Sequence, residues 1–483
     1  MISPLFTIRV VALAVGFATL RGGWAQTVPT ILIDPAKIAA AGRHPTFGIG
    51  VAVWDEHMTD RVIPGLIRDA GFQVIRYPGG SYSDLYHWKT HSSTRGYEAT
   101  IRPANGFDGF MKIAQAAKTD VLITVNYGSN PDGTGGADPQ EAADWVRYAN
   151  RDHRYGVKYW EIGNEVYGNG FYNGKGWELD LHAPLSANPA DILKNPKLGP
   201  QMYGEQVAAF SKAMKAIDPT IKVGAVMTTP GGWPDGEAPR WNPTVLKACG
   251  SNIDFVVIHW YGEGRTAEAG LRSLQVVPEL VHQMRRLVDT YCGTRAKNIK
   301  IWMTEGDMSG FNSQPVSALF AADHFLTWFE SGADHVNWWN LHNGLHVENG
   351  KADDQGILSS GHSEGGFTQP PVNTPFPAYY GVKMASSLFG PRGAKLLAVS
   401  SPDDHVRVHA MVRADGQLGV MLINQDPEKM HSIRLEVPVA ASVTVSQLIA
   451  GSATIAKRQR PWDAGKPLEL PPYSVTTLLF PRS

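Results

Sequence analysis

The sequence predicts an α/β chain, a (β/α)8 TIM barrel followed by a smaller all-β sandwich domain. Three observations predict it. Between residues 46 and 390, eight short apolar runs alternate with longer amphipathic stretches. After Gly390 the pattern changes to short runs of alternating polarity, separated by turn residues. No Gly-rich phosphate turn follows the first run, which argues against an open dinucleotide-binding sheet.

Residues 1–25 read as an export signal. Arg9 precedes an apolar stretch from Val10 to Leu20, and Gly23-Trp24-Ala25 places small residues at cleavage-type positions. The stretch is short for a membrane span. The mature chain is therefore expected to begin near Gln26 and to be secreted, to the periplasm or the medium, with an uncleaved anchor as the competing reading. Residues 26–45 include an extended segment, Thr30–Ile38, expected to add a strand to the C-terminal β module.

The apolar runs of the barrel region, 46–390, are Phe47–Val53, Gln73–Arg76, Val121–Asn126 and Val157–Ile162, then Lys222–Met227, Phe255–His259, Ile301–Thr304 and Val336–Trp339. Each is short and rich in β-branched or aromatic residues, as strands of a parallel sheet buried on both faces require. The stretches between them have helical signals. Asp138 and Pro139 open one as N-cap and first helical residue, and it runs to about Asp152. Met202–Ile217, Leu271–Tyr291, Ser313–Ser331 and Ala378–Phe389 have the same character. In residues 391–483 the runs Val406–Val412, Gln417–Ile423, Ser432–Val437 and Val475–Phe480 alternate as half-buried strands do.

The 483 residues carry 44 Lys plus Arg against 45 Asp plus Glu, a net charge of -1. That balance offers no electrostatic reason to expect nucleic acid or an anionic membrane as partner. The aromatic content is compatible with stacking on sugar rings, and an oligo- or polysaccharide is the partner the chemistry below implies. Cys249 and Cys292 are too few for a disulfide framework; whether they bridge, and the oligomeric state, stay open.

In this barrel the chemistry sits at the C-terminal ends of the strands. The fourth run ends Trp160-Glu161-Ile162-Gly163-Asn164-Glu165 and the seventh Trp302-Met303-Thr304-Glu305-Gly306. Two carboxylic acids thus reach one rim from opposite sides. Glycoside hydrolysis needs such a pair, one to protonate the leaving oxygen and one to attack or stabilise the anomeric carbon.

With Asn164-Glu165 after the fourth strand and Glu305 ending the seventh, the chain resembles the clan A retaining glycoside hydrolases. Within the clan it is similar to the family 51-type α-L-arabinofuranosidases. Arg76-Tyr77-Pro78-Gly79-Gly80 looks like that family's Arg-Tyr-Pro-Gly-Gly segment, and His259-Trp260-Tyr261 like its His-Tyr-Tyr-type element. The likeness spreads over roughly residues 46–345. It departs at Thr304-Glu305-Gly306-Asp307, where the family usually reads Asp-Glu-Trp-Asn, and in the loop Val166–Gly170. The resemblance implies Glu165 as general acid/base and Glu305 as nucleophile, in a double displacement needing no metal or organic cofactor.

The supporting residues follow from position. Arg76 is placed to hydrogen-bond Glu305 and hold it charged. Asn164 is placed to bind the sugar hydroxyl beside the anomeric carbon. Tyr261 is placed to donate to Glu305, with His259 beside it. Trp339 is expected as the floor of the sugar subsite, and Trp54 and Asn126 as lining. The insertion Asn169–Pro200, with Trp177, Asp180 and His182, is expected to shape one wall and set specificity.

Each reading has a bland rival. A lone Asn-Glu pair is common; its place after the fourth run is what gives it weight. Glu161 lies inside its strand and reads as a salt-bridged barrel residue, while Glu263 and Asp307 read as solvated loop acids. Arg76 has a purely structural ion-pair alternative. Tyr82, Trp88 and Trp145 fall to the structural side. His259 is not read as a metal ligand, because no second histidine or cysteine stands at ligand spacing. The same two acids would serve a β-xylosidase, a β-glucuronidase, an endo-glucanase or an endo-galactanase. An alternative of another class is a catalytically inactive carbohydrate-binding protein, which would keep the aromatic platforms but not need both acids.

Overall fold

The computed structural model describes residues 28–40, 45–97, 100–168, 178–183, 197, 199–231, 240–348, 350–390, 393–438 and 440–482. The export signal expected over residues 1–25 lies outside them.

Eight strands close into a barrel: β1 (Thr46–Gly50), β2 (Val74–Tyr77), β3 (Asp120–Val125), β4 (Tyr159–Ile162), β5 (Lys222–Val226), β6 (Phe255–His259), β7 (Lys300–Glu305) and β8 (His335–Trp338). They follow one another in chain order, all parallel, and β8 pairs with β1 to complete the ring. The chain is therefore a (β/α)8 barrel. β2, β6 and β8 are buried at every position, the environment their apolar runs predict.

The barrel interior is not wholly apolar. Arg76, Thr124, Glu161, His335 and Asn337 are all buried within the strands. Gly48 in β1 makes room for them: a Cβ there would meet Asn337 Oδ1 at 1.8 Å and His335 Cε1 at 2.5 Å. His335 bonds Thr46 Oγ1 at 2.8 Å through Nδ1, and burial lowers its pKa to about 3, so its imidazole is neutral.

The helices differ from expectation in two ways. The stretch expected as one helix over Leu271–Tyr291 is two, Ala267–Ser273 and Val277–Tyr291, joined by a 3-10 turn at Leu274–Val276. Pro278 explains the restart, since proline lacks an N–H and is tolerated only in a helix's first turn. Helices Ile63–Ala70, Phe107–Ala117 and Trp241–Cys249 were not distinguished in the sequence; each is only two or three turns long. Cys249 and Cys292 are buried free thiols.

The C-terminal module has two sheets, one of seven strands and one of three. The N-terminal segment contributes two strands rather than one. Thr30–Leu32 runs parallel to His431–Glu436 in the smaller sheet, and Ile38–Ala40 pairs with Ala394–Leu397 at the edge of the larger. Ile31, Val408, Leu422, Ile433 and Leu478 fill the space between the sheets. On its other face the larger sheet sends Met411, Met421 and Ile423 into the barrel's own core, which includes residues of helices Ser317–Ser331 and Pro377–Phe389. The module is thus fused to the barrel by a continuous apolar layer.

Candidate active site

A cleft of about 810 Å³ opens at the C-terminal ends of the strands. That volume is in the range of sites that take a small ligand. Glu165 and Glu305 both line it, and so do Trp54, His259, Tyr261 and Trp339.

Glu305 is the last residue of β7, so its side chain is fixed by the strand. Its Oε1 accepts from Tyr261 Oη, and its Oε2 accepts from Arg76 Nη1 at 2.8 Å. Glu165 follows β4 in a tight turn whose backbone is held from below. There Asp84 Oδ2 accepts from the N–H of Asn164 at 2.9 Å and Oδ1 from that of Tyr127 at 3.1 Å. Nδ1 of His259 lies 2.9 Å from Glu165 Oε1, while Nε2 lies 3.1 Å from Thr304 Oγ1. Tyr167 donates to the same Glu165 oxygen at 3.2 Å. A ligand atom from each of Glu165, His259 and Glu305 lies within 4.8 Å of the others. Glu165 and Glu305 therefore bring carboxylate oxygens close together at the cleft.

Arg76, Asn164 and Asn126 do not line the cleft. Arg76 is 1% exposed and lies beneath it, its Nε donating to Glu161 and its Nη2 to Asn164 Oδ1 at 2.7 Å. Burial opposes its charge, but Glu161 and Glu305 outweigh that and raise its pKa, so it stays a cation. Asn164 is also 1% exposed, because both ends of its amide are taken, by Arg76 and by Glu178. Asn126 was expected as lining; instead its Oδ1 accepts from Ser129 N at 3.1 Å and it braces the loop after β3. The expected sugar contact by Asn164 is thus replaced by a place in the network behind the cleft.

Other readings also change. Asp307 is not solvated: it is fully buried, because the chain after β7 turns inward and its carbonyl accepts from Gly262 N at 2.8 Å. Burial pushes its carboxyl well above the usual range; Asn312 opposes this, and Asp353, Glu305 and Asp354 add to it. Glu263 is exposed at the cleft's edge. Tyr82, assigned to the structural side, lines the cleft beside Trp54, their ring centroids 6.3 Å apart. Trp88 and Trp145 do stack on each other, at 5.6 Å. Trp177 lies outside the described residues, as does most of the insertion around it. Asp180 and His182 are described and do not line the cleft; His182 pairs with Asp180 and stacks on Tyr127 at 4.2 Å. The sequence offered no signal for Tyr167, Glu178 or Asp84, which lie in short 3-10 turns or loops without periodicity.

Glu165, His259 and Glu305 are close enough to hold a metal ion by distance alone. The donor set argues against it. Both oxygens of Glu305 already accept from protein donors, and a guanidinium 2.8 Å away would repel a cation.

No family model matches the chain. α-L-Arabinofuranosidase C of Emericella nidulans is 26% identical over 197 residues, covering 35% of this chain and 32% of that protein. Intracellular exo-α-(1→5)-L-arabinofuranosidase 1 of Bacillus subtilis is 26% identical over 231 residues, 43% of this chain and 40% of that one. The match thus spans well under half the length of these relatives. Among solved structures, the thermostable family 51 α-L-arabinofuranosidase of Thermotoga petrophila superposes with a TM-score of 0.68 at 17% identity. That superposition covers 93% of this chain and 99% of that one. The chain therefore has the fold of these hydrolases and is similar to them in sequence over part of its length.

Proposed function

We propose that this chain is a retaining glycoside hydrolase acting on α-L-arabinofuranosides. The observation that carries the reading is that Glu165 and Glu305 bring carboxylate oxygens within 4.8 Å of each other in an aromatic-walled cleft. Retaining enzymes hold their two carboxyl groups about 5–5.5 Å apart, whereas inverting ones need roughly 6.5–9.5 Å to admit a water between acid and base. The partial sequence likeness to arabinofuranosidases favours the sugar.

Glu305, held by Arg76 and Tyr261, attacks the anomeric carbon as Glu165 donates its proton to the departing glycosidic oxygen. The C–O bond breaks, the aglycone leaves as an alcohol, and the sugar remains as an ester on Glu305. Glu165, now a carboxylate beside His259 and Tyr167, takes a proton from water. The water oxygen bonds to the anomeric carbon, and the Glu305 ester bond breaks.

The test is a panel of aryl glycosides and plant polysaccharides, with Glu305→Gln as control. Cleavage of an α-L-arabinofuranoside, reduced about 10⁴-fold or more in the variant, is the expected result. NMR should show the first-formed sugar with the substrate's anomeric configuration. Cleavage of another glycoside alone would keep both acids and replace the sugar. An unreactive panel with surviving polysaccharide binding would make the protein a lectin-like binder instead.

We also propose that the protein is exported, on the strength of residues 1–25. N-terminal sequencing of material from the periplasm or medium should begin near Gln26; full-length chain confined to the cytoplasm would refute this.

A further inference from the structure

Glu178 is a third carboxyl group behind the cleft, and the mechanism above does not use it. It is 2% exposed. Its Oε1 accepts two hydrogen bonds, from Ser81 Oγ at 2.7 Å and from Asn164 Nδ2 at 2.8 Å. Its Oε2 is buried, and the carboxyl of Asp84 lies close enough to share a hydrogen bond with Glu178. Ser81 lines the cleft, next to the aromatic wall at Tyr82. Asn164 continues inward to Arg76, and Arg76 to Glu305. Glu178 therefore joins the cleft wall to the scaffold of the proposed nucleophile.

A serine hydroxyl has one proton and two lone pairs. With its proton directed to Glu178, Ser81 can only accept from a group in the cleft. Asn164 is fixed in the same way: its oxygen faces Arg76, so its nitrogen must face Glu178. Were the amide turned over, it would set N–H against guanidinium and oxygen against carboxyl. Burial pushes Glu178 well above the usual carboxylate range, and Asp84 and Glu165 add to it. A glutamine would reproduce its accepting oxygen.

Resting on the glycosidase reading above, we propose that Glu178 is a positioning residue that sets substrate specificity. It holds Ser81 as an obligate acceptor for a sugar hydroxyl, and it locks the Asn164 amide that orients Arg76 against Glu305.

The test is a double-mutant cycle with Ser81→Ala and Glu178→Ala, and with Glu178→Gln as the conservative variant. Steady-state kinetics are measured on the aryl α-L-arabinofuranoside and its monodeoxy analogues. Ser81→Ala should lose about tenfold in kcat/KM, carried by KM, for the intact sugar, and far less for the analogue lacking the donor hydroxyl. Glu178→Ala should lose about 30- to 100-fold with a fall in kcat as well, because the Arg76 scaffold loosens. The double variant should be no more than about twofold worse than Glu178→Ala alone, since the two residues act through one hydrogen bond. Glu178→Gln should return to within about fivefold of wild type. Multiplicative losses, an unchanged Glu178→Ala, or a glutamine variant as poor as the alanine one would each overturn the inference while wild-type turnover upheld the reading of function. A wild type that cleaves no glycoside would overturn both.

Discussion

Asp307 stands two residues beyond the proposed nucleophile, sealed from solvent, with the Asn312 side chain beside its carboxyl. Its raised pKa has a consequence for stability. An acid raised on folding contributes stability that is full below its unfolded pKa and is lost as pH rises through the folded value. Asp307→Asn, which cannot ionise, should flatten that loss. Urea midpoints at pH 4, 6 and 8 should fall more for wild type than for the variant; parallel lines would show that Asp307 is not the cause of that loss. This residue was misread in the sequence for a definite reason. A loop acid is usually hydrated, and nothing local announces that the chain after β7 folds inward. Glu165 and Glu305 were legible because a strand end in this fold is itself a positional signal.

At the scale of elements, the turn after β2 and the residue after β8 meet face to face. Gly80 has φ of 51°, and a Cβ there would lie 2.9 Å from the indole of Trp339. The glycine lets the ring settle to 8% exposure at the floor of the cleft. Gly80→Ala combines left-handed backbone strain, about 1–2 kcal/mol, with a push on that ring. A raised KM of several-fold and a Tm lowered by a few degrees are expected; kinetics unchanged within twofold would mean that Trp339 is not part of the sugar subsite. All eight barrel strands overlap runs visible in the sequence, because a parallel strand buried on both faces is one unbroken apolar word. The four alternating runs of the module are strands as well, whereas its edge strand Ala456–Pro461 was invisible, since it is largely exposed and carries Lys457, Arg458 and Arg460.

At the scale of the whole molecule, barrel and β module are joined by a buried polar knot within the apolar layer. Asp323, on the helix Ser317–Ser331, accepts from Arg407 Nε at 3.0 Å and from Thr327 Oγ1 at 2.6 Å, and lies 3.1 Å from His409 Nε2. His409 Nδ1 lies 2.9 Å from Glu330. Burial opposes the charge on His409, but Glu330 and Asp323 outweigh it and raise its pKa to about 9. Burial likewise opposes the charge on Asp323, yet Arg407 and His409 hold its carboxyl below the ordinary range. The histidine's contribution is full below its unfolded value of 6.5 and is lost as pH rises through about 9. Asp323 contributes above the ordinary carboxylate range and loses its part only in acid. Tm should therefore decline between pH 7 and 9.5, and His409→Gln should remove most of that slope while lowering Tm at pH 7; an identical slope in the variant would show that the knot does not set it. The sequence by itself determined the class of fold, the order of the barrel strands, and which two acids stand just after β4 and at the end of β7, because those follow from periodicity along a local stretch of chain. Only the tertiary structure decided that Arg76 is sealed beneath the cleft, that Asn164 faces Glu178 rather than the cleft, and that Asp307 is buried. Those facts depend on distances across the closed barrel and on the water it excludes, and neither is encoded in the neighbours of any one residue.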